Sequence, residues 1–270
     1  MACSYPISLN DKTTGLNGRL VPCGKCINCI QRKRAEWSFR LLQELKISER
    51  ATFLTLTYSD EYLPKTRQLE KKKLQLFFKR VRVTQKAIKY YAVGEYGTKN
   101  KRPHYHAIVY NCDNNTLIDE WRERSGNAKT PIGFVSCDTV TEASIHYVTG
   151  YITTKYGKID ERTGKSLNTW SADDIRPFAL MSKGLGKIYL KYATKYHKSN
   201  FTTTTISAGG VRGNLPRYYK ERIFTDTEKK ELAQINSIRI NEAYSDHKAE
   251  FEKRQYNKLI VKNQIKKKIL

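Results

Sequence analysis

KYYAVGEYG (89–97) and HYHAIVY (104–110), joined by the basic turn TKNKRP (98–103), are the stretches on which the fold turns. Both are rich in Tyr, Val and Ile and are bounded by turn residues, so both read as strands, and their short connection makes them a hairpin. On a strand, residues i and i+2 point to the same face, which puts the imidazoles of His104 and His106 side by side. Glu95 ends the preceding strand and faces that pair across the ladder. Two imidazoles and one carboxylate with open coordination positions suit Mn2+ or Mg2+ bound to substrate oxygen. Imidazole leans toward Mn2+ and cellular abundance toward Mg2+. The plainer alternative is two ordinary polar strand residues and a solvated carboxylate.

Outward from the hairpin, ATFLTLTYS (51–59) reads as a buried strand. Leu74, Phe77, Phe78 and Val81 recur at i, i+3, i+4, i+7 and predict a helix over 69–83. Residues 115–124 read as a helix and IGFVSC (132–137) as a strand. A helix over 139–156 follows, opened by a capping-box pattern at Thr139 and Glu142 and stopped before Gly157. Upstream, Trp37, Leu41 and Leu45 share one face of a helix predicted over 30–48. The resulting order of helices and strands predicts an α+β fold, an antiparallel sheet with helices on it of the ferredoxin-like split-βαβ kind.

The flanks carry weaker signals. Residues 1–29 read as an irregular, Cys-rich N-terminal segment, 30–224 as the main domain, and 225–270 as a basic helical C-terminal extension. Within the main domain, 158–176 reads as a polar loop, 180–196 as basic and Tyr-rich with a helix in its second half, and 199–214 as loop or edge structure.

The predicted helix 139–156 carries Tyr147 and Tyr151, four residues apart and so on one face, with Lys155 one turn further along the same row. Val148 and Ile152 form the neighbouring, core-facing row. A tyrosine hydroxyl can attack phosphorus and form a phosphotyrosine ester. A nearby Lys or a metal favours the phenolate, and the metal polarises the scissile phosphate. Two tyrosines allow two such cleavages in succession. For a tyrosine pair in isolation, amphipathic packing is the simpler explanation; the metal triad beside it changes the balance.

Charge sets the partner. The 270 residues hold 50 Lys and Arg against 26 Asp and Glu, a net charge of +24. So large an excess calls for a polyanion, and with 18 Tyr in the chain single-stranded nucleic acid is the natural one. No run of 18 apolar residues occurs, which argues against a membrane partner, and the start MACSYPISLNDK lacks the pattern of a secretory signal.

Three of the six cysteines lie in PCGKCINC (22–29). Cysteines this close together seldom pair as disulfides. With Cys3 as a fourth thiolate, Cys23, Cys26 and Cys29 make a candidate structural Zn2+ site. Small buried thiols are the alternative. An iron–sulfur run would need a further Cys at position 33, which is Lys.

FLTLTY (53–58), GEYG followed by RPHYHAIVY (94–110), and YVTGYITTK (147–155) resemble, in that order, the three motifs of the HUH endonuclease superfamily, which initiates rolling-circle replication and conjugative transfer. PCGKCINC with the basic residues and Trp37 after it, FALMSKGLG (178–186) and LPRYYKERIF (215–224) resemble replication initiators of the small single-stranded DNA phages, the gokushovirus group of microviruses. The resemblance implies an HUH endonuclease core with His104 and His106 as the metal pair, Glu95 as third ligand, Tyr147 and Tyr151 as paired nucleophiles and Lys155 as the basic residue after them. Lys155 lies four positions after Tyr151, whereas one-tyrosine initiators usually show Tyr-x-x-Lys.

The resemblance further implies nicking of one strand at the phage origin, a 5′-phosphotyrosyl link, and rejoining by the second tyrosine. It also implies a host helicase and polymerase as partners and the cytoplasm of the bacterial host as the setting. Lys99, Lys101 and Arg102 beside the metal motif, and Arg32, Lys33 and Arg34 on the first helix, are candidate backbone contacts for DNA. Tyr90, Tyr91, Tyr96 and Tyr105 are divided between base stacking and core. A two-tyrosine transposase shares the chemistry, whereas a relaxase usually places its tyrosine before the histidines. A non-catalytic, zinc-stabilised nucleic-acid-binding protein would make the tyrosines mere packing.

Overall fold

The computed structural model describes residues 3, 7–11, 16–97, 100–125, 128–151, 173–206 and 212–235. In chain order the first elements are β1 (Ile7–Asp11), β2 (Leu16–Val21), α1 (Ile27–Leu45), β3 (Ala51–Leu56), α2 (Lys71–Thr84), β4 (Lys89–Tyr96) and β5 (Pro103–Tyr110). Then come α3 (Asn114–Glu120), β6 (Arg122–Ser125), β7 (Ala128–Pro131), β8 (Val135–Thr139), α4 (Glu142–Gly150) and β9 (Phe178–Met181). The last are α5 (Tyr189–Ser199), β10 (Thr204–Ile206), β11 (Arg212–Asn214) and α6 (Arg217–Ile223), followed by a helical stretch over 226–235.

Five strands form one sheet in the order β8-β3-β5-β4-β9. Every neighbouring pair in it is antiparallel. β3 and β4 therefore run parallel to each other on either side of β5, with α2 connecting them. The α+β expectation holds, with the hairpin of β4 and β5 at the centre.

Alternation along the strands sorts the side chains onto two faces. One face carries Leu54, Leu56, Tyr90, Ala92, Tyr105, Ala107 and Val109, and packs against Leu74, Phe77, Phe78 and Val81 of α2 and Leu117 of α3. The four α2 residues are the ones the periodicity selects, and all are fully buried. Burying side chains of this size contributes about 1.5–3 kcal/mol each. The other face carries Phe53, Tyr91, Val93, Ile108 and Tyr110, and packs against Leu41 of α1, Ile145 and Val148 of α4, and Leu185. Even positions of β5 and odd positions of β4 point to this second face, so His104, His106 and Glu95 belong to it.

Several expectations need correction. Residues 1–29 are not wholly irregular, because β1 and β2 pair as an antiparallel hairpin. The helix expected from 139 begins at Glu142, and the capping box is Thr141 with Ser144. Thr139 instead pairs with Thr52 in the ladder of β8 and β3, which delays the helix by one short turn. The strand expected over 132–137 is broken at Gly133. A Cβ there would lie 2.3 Å from the Thr57 carbonyl oxygen, so only glycine lets the two chains pass this closely. Ile132 is buried before the break and β8 proper starts at Val135. The polar hairpin of β6 and β7 and the edge strand β9 lack an apolar run long enough to announce them. The remainder of the predicted helix past 151, most of the predicted 158–176 loop, and the extension past 235 lie outside the described residues.

The chain divides into two compact units, Met1–Lys191 and Tyr192–Leu270. Within the second unit, β10 and β11 form the edge hairpin and α6 buries Tyr219 and Ile223. Lys229 on 226–235 pairs with Asp226 and Glu221. No helix among the described residues is long and apolar enough to cross a membrane.

Candidate active site

The ladder of β4 and β5 sets Glu95 directly opposite His104. His104 Nε2 lies 2.7 Å from Glu95 Oε1, and His106 Nε2 lies 3.3 Å from the same oxygen. Ligand atoms of all three residues lie within 4.8 Å of one another. Glu95 and His106 are each 7% exposed, so this polar cluster is built into the sheet surface and is not a chance meeting of solvated side chains.

Each histidine is oriented from behind. His104 Nδ1 is 3.1 Å from the Arg102 carbonyl oxygen, which can only accept, so Nδ1 carries a proton. His106 Nδ1 shares a 3.0 Å hydrogen bond with Thr55 Oγ1, its partner across the ladder of β3 and β5. Both Nε2 atoms are thereby left facing the carboxylate, as metal-binding histidines are held. Two nitrogens and one oxygen with open positions form a donor set that Mn2+ or Mg2+ can use. Thr55→Val should lower Mn2+ affinity about 10–100-fold, read by calorimetric titration; unchanged affinity would deny Thr55 this role.

The cluster is tuned by its own charges. Burial pushes the Glu95 pKa upward, but hydrogen bonds from His104 and His106 outweigh it and hold the carboxyl below the ordinary 4.5. Burial likewise pushes His104 downward, yet the hydrogen bonds to Glu95 and the Arg102 carbonyl raise it above the ordinary 6.5. The Glu95 contribution to stability is thus present above about pH 4.5 and is lost as pH falls through its lowered value. The His104 contribution is present below about pH 6.5 and is lost as pH rises through its raised value. A metal must displace the His104 proton, so Mn2+ affinity should rise from about pH 6 to about pH 8. Equal or weaker binding at the higher pH, in the same calorimetric titration, would contradict this arrangement.

Helix α4 brings the tyrosines over the cluster. Thr141 Oγ1 accepts from the Ser144 amide at 3.1 Å, and Ser144 Oγ accepts from the Thr141 amide at 2.9 Å, which starts the helix. Ile145 and Val148 anchor it to the sheet. Tyr147 is 49% exposed, and Tyr151 sits at the C-cap position. The Tyr151 ring stacks on His106 with centroids 5.7 Å apart, and the two tyrosine rings meet edge to face at 4.9 Å. Phe53 stacks on the other side of His106 at 5.6 Å. Burial, with Tyr147 and Glu95 beside the hydroxyl, pushes the Tyr151 phenol well above its ordinary pKa.

The expected basic residues divide. Arg32, Lys33 and Lys101 are exposed. Arg102 is tied to Asp60 and donates to the Tyr58 carbonyl at 2.9 Å, so its side chain braces the turn whose carbonyl holds His104. Arg34 donates to the His146 carbonyl at 3.0 Å and so braces α4. Lys99 and Lys155 lie outside the described residues. Tyr90, Tyr91 and Tyr105 are core, and the Tyr96 hydroxyl donates to the Ile175 carbonyl. Thr55 and Phe53 are site residues that the sequence does not single out. Their only signal there is parity with the core residues of their strand, which needs the ladder register to become meaningful.

The other metal-competent cluster among the described residues is Cys3, Cys23, Cys26 and Cys29. Burial pushes the Cys29 thiol up to about 12, with Cys26 and Cys3 adding to the rise.

The central sheet and a His-His-Glu cluster under two tyrosines define an α+β protein with a metal-competent polar site on one sheet face. Residues 51–156 match the family model for replication-associated proteins of the ORF2 type. Replication-associated protein ORF2 of Spiroplasma virus 4 is 30% identical over 226 residues, covering 75% of this chain and 67% of that protein. Replication-associated protein VP4 of Bdellovibrio phage phiMH2K is 28% identical over 254 residues, covering 82% and 76%. Replication-associated protein ORF4 of Chlamydia phage 1 is 26% identical over 240 residues; the chain spans 58% of its length. No solved structure matches. The chain belongs to the replication-associated proteins of small single-stranded DNA phages.

Proposed function

We propose that this protein is a metal-dependent HUH endonuclease that nicks one DNA strand at the phage origin and rejoins the product in rolling-circle replication. The observation that carries the reading is the convergence of His104 Nε2 and His106 Nε2 on one Glu95 oxygen, with Tyr151 stacked on His106 and Tyr147 against Tyr151. The sheet order supports the HUH core. β3, α2, β4, β5, α3 and β8 follow the β-α-β-β-α-β sequence of a ferredoxin-like split βαβ, with β5 central.

Mn2+ or Mg2+ on His104, His106 and Glu95 supplies a Lewis acid for the scissile phosphate. The chain supplies the rest. A tyrosine hydroxyl attacks phosphorus, the new bond is Tyr Oη–P, and the bond to the 3′ oxygen breaks. The phenolic proton is balanced by the one gained on the departing 3′-hydroxyl. Because the phosphoester is exchanged and not hydrolysed, a 3′-hydroxyl can later attack the phosphotyrosine and close the strand. The second tyrosine performs the second cut. Lys155 is assigned as the neighbouring cation by its spacing alone. Arg32, Lys33 and Lys101, all exposed, hold the phosphate backbone. A host polymerase extends the free 3′ end behind a host helicase, in the bacterial cytoplasm.

The test is cleavage of labelled single-stranded DNA covering the origin region, with Mn2+, Mg2+ or chelator. Discrete, metal-dependent strands ending in a 3′-hydroxyl support the reading. Tight binding without cleavage across the whole region would replace it with a non-catalytic nucleic-acid-binding protein, and cleavage only at mobile-element ends with a transposase.

A further inference from the structure

We infer that Cys3, Cys23, Cys26 and Cys29 bind one structural Zn2+, which pins the first turn of α1 and, through α1, the helix that carries Tyr147 and Tyr151. The four sulfurs lie within 4.8 Å of one another. Cys3 Sγ and Cys26 Sγ are 3.8 Å apart. That is far from a disulfide and matches the edge of a ZnS4 tetrahedron, about 3.8 Å for Zn–S bonds of about 2.3 Å. All six cysteines are free thiols.

The surroundings are those of a thiolate site. The amides of Lys25 and Cys26 donate to Cys23 Sγ at 3.4 and 3.3 Å, and the Cys23 amide donates to Cys3 Sγ at 3.3 Å. Such amide–sulfur bonds stabilise the charge that develops on sulfur. The turn from Cys23 to Cys26 passes through Gly24 at φ +73°, a conformation glycine adopts without strain. Zinc binding releases the thiol protons and leaves four thiolates around Zn2+, a site of charge −2. Four filled positions leave none open for substrate, so the site is structural.

Its place in the fold gives it a consequence. Cys26 is the N-cap of α1 and makes no side-chain cap hydrogen bond, and Cys29 lies in the first turn. The metal takes the place of the missing cap. On the same helix, Arg34 donates to the His146 carbonyl at 3.0 Å, and Ser38 Oγ bonds Thr149 Oγ1 at 2.8 Å. Thr149 and Ser38 are buried. From Cys29 to Arg34 the helix rises only about 7.5 Å. Fixing the start of α1 therefore fixes the groups that grip α4 between its two tyrosines. This consequence for the tyrosines rests on the nicking reading; the metal site does not.

The full chain, purified without chelator, should contain about one zinc per molecule by elemental analysis. Replacing zinc with Co2+ should give the visible absorption of tetrahedral cobalt thiolate. Cys26→Ser should lose both, whereas Cys3→His, which keeps a zinc-ligand set, should retain the metal. Removing zinc should speed amide hydrogen exchange about tenfold or more over 27–38 and 142–151, with the β4–β5 ladder unchanged. Iron and sulfide in place of zinc, no cobalt thiolate spectrum, or equal zinc in Cys26→Ser would overturn the site. Unchanged exchange in 142–151 after zinc removal would overturn the coupling. None of these readouts depends on DNA cleavage, so failure of the nuclease reading would show separately.

Discussion

His106→Ala abolishes metal-dependent cleavage of origin DNA, a loss of about a thousandfold or more under single-turnover conditions. His106 is the ring on which the site is assembled. Its Nε2 faces Glu95, its Nδ1 is held by Thr55, and it lies between Phe53 and Tyr151. Truncation to alanine removes a ligand and the surface that positions Tyr151 together. It also leaves a gap in a buried position, so stability must be followed by urea unfolding. Glu95→Gln separates the two effects. It preserves shape while removing the charge, and it should still cost at least about a hundredfold in cleavage. If Glu95→Gln cleaves like the parent protein, the carboxylate has no part in the chemistry.

The second large effect is on the tyrosines. Tyr→Phe removes one oxygen and leaves the ring, so stability should change by no more than about 0.5 kcal/mol at half-exposed Tyr147. Each single variant should still cut through the remaining hydroxyl, at a reduced rate. Each should fail to release a unit-length circle, because that needs a second attack. The double variant should cut nothing while binding DNA as before. Analysis of circular and nicked products on a plasmid bearing the origin checks this. Full circle release by either single variant would remove the need for a pair.

Much of this site is legible in the sequence because it rests on short-range rules. The two-residue period of a strand places His104 beside His106, hairpin register places Glu95 opposite, and the helical period places Tyr147 over Tyr151. The core face of α2 follows from the same kind of rule. What the sequence hides depends on contacts between distant segments. Thr139 and Thr141 both suit an N-cap, and only the pairing of Thr139 with Thr52 decides between them. Arg34 and Arg102 look like DNA contacts by charge, yet both are bonded to carbonyls far along the chain. Thr55 is silent until β3 lies beside β5. The hairpin of β1 and β2 and the edge strand β9 are short and have no alternating apolar face long enough to distinguish them from loop.

The central claim is covalent catalysis by tyrosine at this metal-competent site. The measurement that bears on it most directly is the reaction of the full chain with labelled single-stranded origin DNA and Mn2+, followed by a denaturing protein gel and mass mapping of the linked peptide. The expected result is a metal-dependent protein–DNA adduct on Tyr147 or Tyr151, absent with chelator and absent from the double Phe variant. An adduct on any other residue, or DNA cut with no adduct under conditions where the protein is folded and metal-loaded, would contradict it.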